Sequence, residues 1–332
     1  MRAMSVSVLG GGSFGTTIAS LTARRHATTL WARDPVLAEE IREKRTNERY
    51  LPGFSLSKSL GATTDLEEAV ADADVVIVGV PSHGFRDVLE QAAEYVRPWV
   101  PVVSLTKGFE AGTLKRMTEV INELLPGHPA AALSGPNLSR EIMAGQAAAS
   151  VIATRDLTVA RALQSVLSRG VFRVYTNHDV IGCEVAGALK NVVAIAAGMA
   201  QGVGAGDNTR AAVVSRGLAE LTRLGVALGG EPQTFAGLAG VGDLVATCMS
   251  PQSRNRYVGE QLGMGRPLAD ILADMTMVAE GVNTASTAME LARRHGVEMP
   301  ICSVIQRVID GTMTATDAYF GLRPAGHEAD PG

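Results

Sequence analysis

The stretch SVSVLGGGSFGTTIASL, residues 5–21, fits two chemical motifs at once. Gly10, Gly12 and Gly15 spell G-x-G-x-x-G, whose glycines let a pyrophosphate approach the backbone at a helix N-terminus. Gly11, Ser13 and Gly15 spell G-x-S-x-G, the sharp turn that exposes a nucleophilic serine. Position separates the two readings. A nucleophile turn caps a sheet that already has several strands, and Ser13 has room for one; a dinucleotide turn belongs directly after the first strand. The phosphate turn is favoured. Arg33 lies eighteen residues beyond Gly15, where a ribose-reading residue belongs. Its guanidinium suits a 2′-phosphate and points to NADP(H), while the adjacent Asp34 keeps NAD(H) in play.

A second group of residues suits proton transfer and anion binding. Lys190 has Ala186, Gly187, Val193 and Ala194 as its neighbours one helical turn away. An ammonium on such a face is costly unless partnered, and is then a candidate proton donor; the alternative is a lysine that snorkels to the surface. Further on come Asp243, flanked by glycine, and Ser253, Arg254 and Asn255 ahead of a helical stretch. Hydroxyl, guanidinium and amide donors at a helix start suit a phosphate, although an ordinary capped helix uses the same residues. Lys107 is an isolated cation at the end of an apolar run. Histidines and carboxylates show no ligand spacing, so no metal is expected.

These residues need elements to hold them. Val6 and Val8, ATTLWARD (27–34), the Val/Ile-rich runs 74–83 and 101–109, the strand and loop within 130–145, and the strand 149–154 alternate with helical periods. That pattern is the signature of an α/β fold with buried parallel strands, functional at their carboxyl ends. Near residue 180 the β-branched runs give way to helical periods punctuated by glycine. The expected plan is a Rossmann-type NAD(P)-binding domain over 1–180, an all-α substrate and catalytic domain over 181–326, and a disordered tail over 327–332.

Composition narrows the partners. Thirty basic and 34 acidic residues give a net charge of −4, which offers no basic field for nucleic acid. Cys183, Cys248 and Cys302 are far apart and odd in number, as expected of reduced thiols in a cytoplasmic protein. The apolar start is soon broken by glycines and NVVAIAAGMA is short, so no membrane insertion is expected.

The motifs GGGSFGTTIA, LWARD, NERYLPG, VIVGVPSH, SLTKGFE, LSGPN, EVAGALKNVVAIAAG, GVGDLVAT, SPQSRNRYVG and VAEGVNTA stand in the order and spacing of one family. From about residue 5 to 310 the chain resembles bacterial NAD(P)-dependent glycerol-3-phosphate dehydrogenase. The resemblance implies interconversion of sn-glycerol 3-phosphate and dihydroxyacetone phosphate, usually for phospholipid synthesis, in a cleft between a Rossmann-type and a helical domain. It implies that Lys190 exchanges a proton with the C2 oxygen of the substrate beside Asp243. Lys107, Gly135, Asn137, Ser253, Arg254 and Asn255 would contact substrate, and Ser13, Phe14, Arg33, Lys107, Ser139, Arg254, Val278 and Glu280 the cofactor. Phe14 stands where the family often has Trp, and Asn137 where it usually has Ser or Thr. A homodimer is expected. The competing readings are a related β-hydroxyacid or ketoacid reductase, which the phosphate-suited Ser253–Asn255 cluster disfavours, and a non-catalytic NADP(H)-sensing protein, which would need no proton donor.

Overall fold

A computed structural model describes residues 4–321 of the chain. The expected tail over 327–332 lies outside them. Two compact units are present, one up to Glu184 and one from Val185 onward.

The first unit alternates strands and helices. Its order is β1 (Ser5–Leu9), α1 (Ser13–Thr22), β2 (Ala27–Trp31), α2 (Pro35–Glu39), β3 (Leu60–Thr63), α3 (Leu66–Val70), β4 (Val75–Val78) and α4 (Phe85–Ala93). Then follow β5 (Val102–Ser104), α5 (Met117–Leu124), β6 (Ala130–Ser134), α6 (Ser139–Met143), β7 (Ala148–Ala153), α7 (Leu157–Leu167) and β8 (Phe172–Asn177). The eight strands form one sheet in the order β3-β2-β1-β4-β5-β6-β7-β8. Every neighbouring pair is parallel except β6 and β7. Strand order reverses between β1 and β4, which opens a crevice at their carboxyl ends where such sheets bind ligands.

Both faces of the sheet are covered, so the strands are apolar on both sides. Val6, Val8, Leu30 and Ile77 belong to one buried cluster and Leu9, Val76, Val78 and Val102 to the other. The sequence expectation for residues 27–34 was too long: the strand stops at Trp31, because Asp34 caps α2 by accepting from Val36 N at 3.0 Å. The helix after the glycine turn likewise starts at Ser13 and ends at Thr22.

The second unit is helical among the described residues. It contains most of α8 (Val180–Gly202), then α9 (Asp207–Ala227), α10 (Pro232–Phe235), α11 (Asp243–Met249) and α12 (Arg254–Gly263). After these come α13 (Leu268–Ala273), α14 (Glu280–His295), α15 (Pro300–Ile309) and α16 (Ala315–Gly321). Helix α8 corrects one expectation, since it is long and apolar enough to cross a membrane by length and composition, with a mean hydropathy of 1.6. It is a core helix instead, 94% buried over its apolar window.

Paired glycines bring α8 and α12 together. A methyl group added to Gly198 would lie 2.0 Å from the Arg256 carbonyl oxygen, and one on Gly259 would lie 1.9 Å from that of Ile195. One turn on, Gly202 and Gly263 repeat the pattern, at 2.2 Å from the Glu260 oxygen and 2.6 Å from the Met199 oxygen. Each helix thus carries G-x-x-x-G, and backbone packs on backbone. Gly281 of α14 closes on the Asn191 backbone of α8 in the same way, whereas Gly217 of α9 makes room for the Val193 side chain.

Candidate functional site

The glycine turn after β1 is shaped by what side chains would hit. Gly10 has φ +121°, and a methyl on it would sit 2.8 Å from the backbone of Gly79 at the end of β4. One on Gly15 would lie 2.1 Å from the Gly10 oxygen, so both positions exclude any other residue. Gly12 differs: a methyl there would meet nothing within 4 Å. It stands at the N-terminus of α1, where no side chain caps the helix. An open cradle in front of a ten-residue helix fits the pyrophosphate of a dinucleotide.

The turn is braced by a residue the motif does not contain. Asn47 is fully buried and its Nδ2 donates to Gly11 O and to Thr16 Oγ1, both at 2.8 Å. Its Oδ1 accepts from Tyr50 N at 3.1 Å. Ser13 Oγ donates to Tyr50 O, so its hydroxyl helps tie the 47–50 segment to the turn. Phe14 packs partly buried against the core, and Arg33 is exposed just past β2.

At the carboxyl ends of β5 and β6, Lys107 Nζ donates to Gly135 O at 2.9 Å and to Asn137 Oδ1 at 2.8 Å. That bond fixes the Asn137 amide, whose Nδ2 is buried with no partner among the described residues. Gly135 has φ +119°, and a methyl on it would press within 3.1 Å of Ser150 Cα. Ser139 opens the short helix α6. The loop bearing Lys107 is pinned by Arg86, whose Nε and Nη2 donate to the two oxygens of Glu110 at 2.7 and 3.1 Å. Arg86 and then Lys115 hold the Glu123 carboxyl down at about 2.

In the second unit Lys190 is buried and pairs with the equally buried Asp243. Its Nζ also donates to Thr247 Oγ1 at 2.7 Å. Asp243 and Thr247 are four residues apart on α11, so one helix face presents both acceptors. Thr247 in turn donates to Asp243 O at 2.7 Å. Gly240, where a methyl would lie 2.0 Å from Phe235 O, permits the tight turn into α11. Sequence reasoning had not singled out Thr247, although its spacing from Asp243 carries the signal. Removing one partner of such a pair leaves a buried charge, at a cost of about 3–5 kcal/mol. Cys248 lies nearby, but burial pushes its thiol up to about 12, so it stays protonated and is no nucleophile.

The serine-arginine-asparagine cluster divides its labour. Ser253 is the N-cap of α12 and accepts from Arg256 N at 3.2 Å. Asn255 is buried as a bridge: Nδ2 donates to Asn191 Oδ1 at 2.8 Å and Oδ1 accepts from Gly281 N at 2.9 Å. Both heavy atoms of its amide are therefore engaged, linking α8, α12 and the first turn of α14, where Glu280 also stands. Arg254 is exposed and donates to Val278 O at 2.9 Å, which brings two expected cofactor contacts together.

Two family models match the chain: the N-terminal part of NAD-dependent glycerol-3-phosphate dehydrogenase over residues 5–160, and its C-terminal part over 179–319. Similar proteins include a glycerol-3-phosphate dehydrogenase [NAD(P)+] of Sphingopyxis alaskensis, 58% identical over 99% of both chains. Another, from Mycobacterium avium, is 54% identical over 99% of this chain and 97% of its own. The solved glycerol-3-phosphate dehydrogenase of Coxiella burnetii is 33% identical and superimposes with a TM-score of 0.93, covering 96% of this chain and 98% of that one. A ketopantoate reductase of Ralstonia eutropha, 17% identical with a TM-score of 0.60, shares the fold alone.

Proposed function

The chain belongs to the NAD-dependent glycerol-3-phosphate dehydrogenase family, and from that premise we propose how its own residues carry out the reaction. It is an NAD(P)-dependent oxidoreductase that interconverts sn-glycerol 3-phosphate and dihydroxyacetone phosphate. The observation that carries the assignment of roles is the buried Lys190–Asp243–Thr247 cluster.

Gly10, Gly12 and Gly15 give the dinucleotide pyrophosphate its seat at the start of α1, and Arg33 reaches the ribose end. Ser13, Phe14, Ser139, Arg254, Val278 and Glu280 make the remaining cofactor contacts. When bound, the nicotinamide supplies or accepts a hydride at C4. In the reductive direction negative charge grows on the C2 oxygen of the ketone, and Lys190, as the ammonium, gives it a proton. Asp243 and Thr247 hold that ammonium in one place and offset its burial, so no charge stands alone. In the oxidative direction the same side chain takes the proton back. Lys107, with Gly135 and Asn137, binds the hydroxylated end of the substrate, and Asn137 Nδ2 supplies an amide donor where a hydroxyl is usual. Arg254 and Ser253 bind the phosphate, while Asn255 keeps the start of α12 fixed to α8. Phosphate binding far from the reacting carbon orients the ketone.

The proposal extends to a homodimer working in the cytoplasm to supply glycerol 3-phosphate for phospholipids. Three buried, unpaired cysteines suit a reducing compartment. The test follows reduced-nicotinamide absorbance on adding dihydroxyacetone phosphate to wild type and to Lys190→Ala. Turnover should fall by about a thousandfold in the variant while dinucleotide binding persists. Near-normal turnover would remove Lys190 from its role.

A further inference from the structure

A second arginine stands at the ribose end of the turn, and it is bound to a carboxylate. Asp34, next to Arg33, has both oxygens engaged: Oδ1 accepts from Val36 N at 3.0 Å as the cap of α2, and Oδ2 pairs with Arg49 Nη1 at 3.2 Å. Arg49 is held in place twice over. Its guanidinium lies 5.1 Å from the centre of the Tyr50 ring. The segment it belongs to is fastened to the glycine turn by Asn47, through Gly11 O and Thr16 Oγ1, and by the Ser13 hydroxyl on Tyr50 O.

An acidic side chain at this place normally accepts hydrogen bonds from the ribose hydroxyls of NAD(H), and its charge repels the 2′-phosphate of NADP(H). Here that carboxylate is spent on a helix cap and an ion pair. We propose that Arg49 is a cofactor-specificity residue: by neutralising Asp34 it lets Arg33 receive a 2′-phosphate, and so biases the site toward NADPH. The inference rests on the dehydrogenase reading and on Arg33 facing the ribose. It requires no direct bond from Arg49 to the phosphate. Asp34 is the group that would repel, and Arg49 is the group that prevents it.

Dissociation constants for NADPH and NADH, from nicotinamide fluorescence, are measured in wild type, Arg49→Met, Asp34→Asn and the double variant. Asparagine caps a helix as well as aspartate does, so Asp34→Asn removes charge and keeps α2. Arg49→Met should lower the preference for NADPH over NADH about fivefold, the size expected of exposed charges. The loss should shrink on raising salt from about 0.05 to about 0.5 M, as screening dictates. In the double variant the preference should return to within about twofold of wild type.

An unchanged preference in Arg49→Met would overturn the inference, and so would a loss that Asp34→Asn does not rescue. Parallel turnover with dihydroxyacetone phosphate separates this from the underlying reading. A wild type that binds dinucleotide yet reduces nothing would sink the dehydrogenase assignment while the binding ratios still judge Arg49.

Discussion

A methyl group on Gly12, at the mouth of the dinucleotide turn, would meet nothing within 4 Å, whereas one on Gly259 would land 1.9 Å from a carbonyl oxygen of α8. At these two positions the same residue type leaves open space in one case and lets backbones touch in the other. In the turn, a missing side chain keeps backbone amides accessible to a ligand. Around α8, missing side chains let neighbouring backbones close on the helix that carries Lys190. A cofactor cradle has to stay open until the ligand fills it. The proposed proton donor has to be immobile before anything arrives.

The contrast can be broken at its rigid end first. Gly259→Ala should force α8 and α12 apart and destabilise the helical unit by about 3 kcal/mol, lowering its melting temperature on the order of 10 °C by circular dichroism. A stable Gly259→Ala protein would show that the crossing is loosely packed after all. The open end should behave in the opposite manner. Gly12→Ala should melt within about 2 °C of wild type, because φ −68° suits alanine, yet bind either dinucleotide about tenfold more weakly. Arg33→Ala sharpens the picture within the first unit, with NADPH affinity falling about tenfold and NADH affinity much less. An equal loss for both would place the 2′-phosphate elsewhere.

The smallest effects concern pH. Glu123 is held at about 2 by Arg86, so its contribution is present above the usual carboxylate range and lost as pH falls toward 2. Glu220 in the second unit is pushed up by burial against the pull of the Ile301 and Cys302 amides. Its contribution is present below the usual carboxylate value and is lost as pH rises through the elevated one. Melting curves between pH 3 and 6 should therefore flatten in opposite senses for Glu123→Gln and Glu220→Gln.

Much of the architecture was legible because its signals are local. Val6 and Val8 before the glycines, the Val75–Val78 run and the helical periods after residue 180 all lie within a few residues of what they specify. β3 escaped notice because LGAT is short and contains Gly61, and β8 because FRVYTN is half exposed, with Arg173 and Tyr175 outward. The antiparallel turn of β7 is a matter of long-range pairing. At the site, Lys190 and Asp243 could be picked out as an ammonium on an apolar face and a carboxylate directly after a glycine. Asn47 could not, since nothing in NERY announces a buried amide that grips a turn thirty-six residues earlier. Asn255 showed the chemistry of a donor, but its partners Asn191 and Gly281 come from two other helices.

Helix α8 has a consequence for how the chain is made. The three helices whose backbones or glycines close on it, α9, α12 and α14, all lie later in the sequence. About eighty residues separate Gly202 from Gly281, where the last of these covers begins. At synthesis rates of about 5–20 residues per second, a segment apolar enough for a bilayer waits several seconds at the ribosome without its shelter. The newborn chain therefore passes through a window in which one helix has the apolar character of a bilayer span and none of the glycine-matched helices that later bury it.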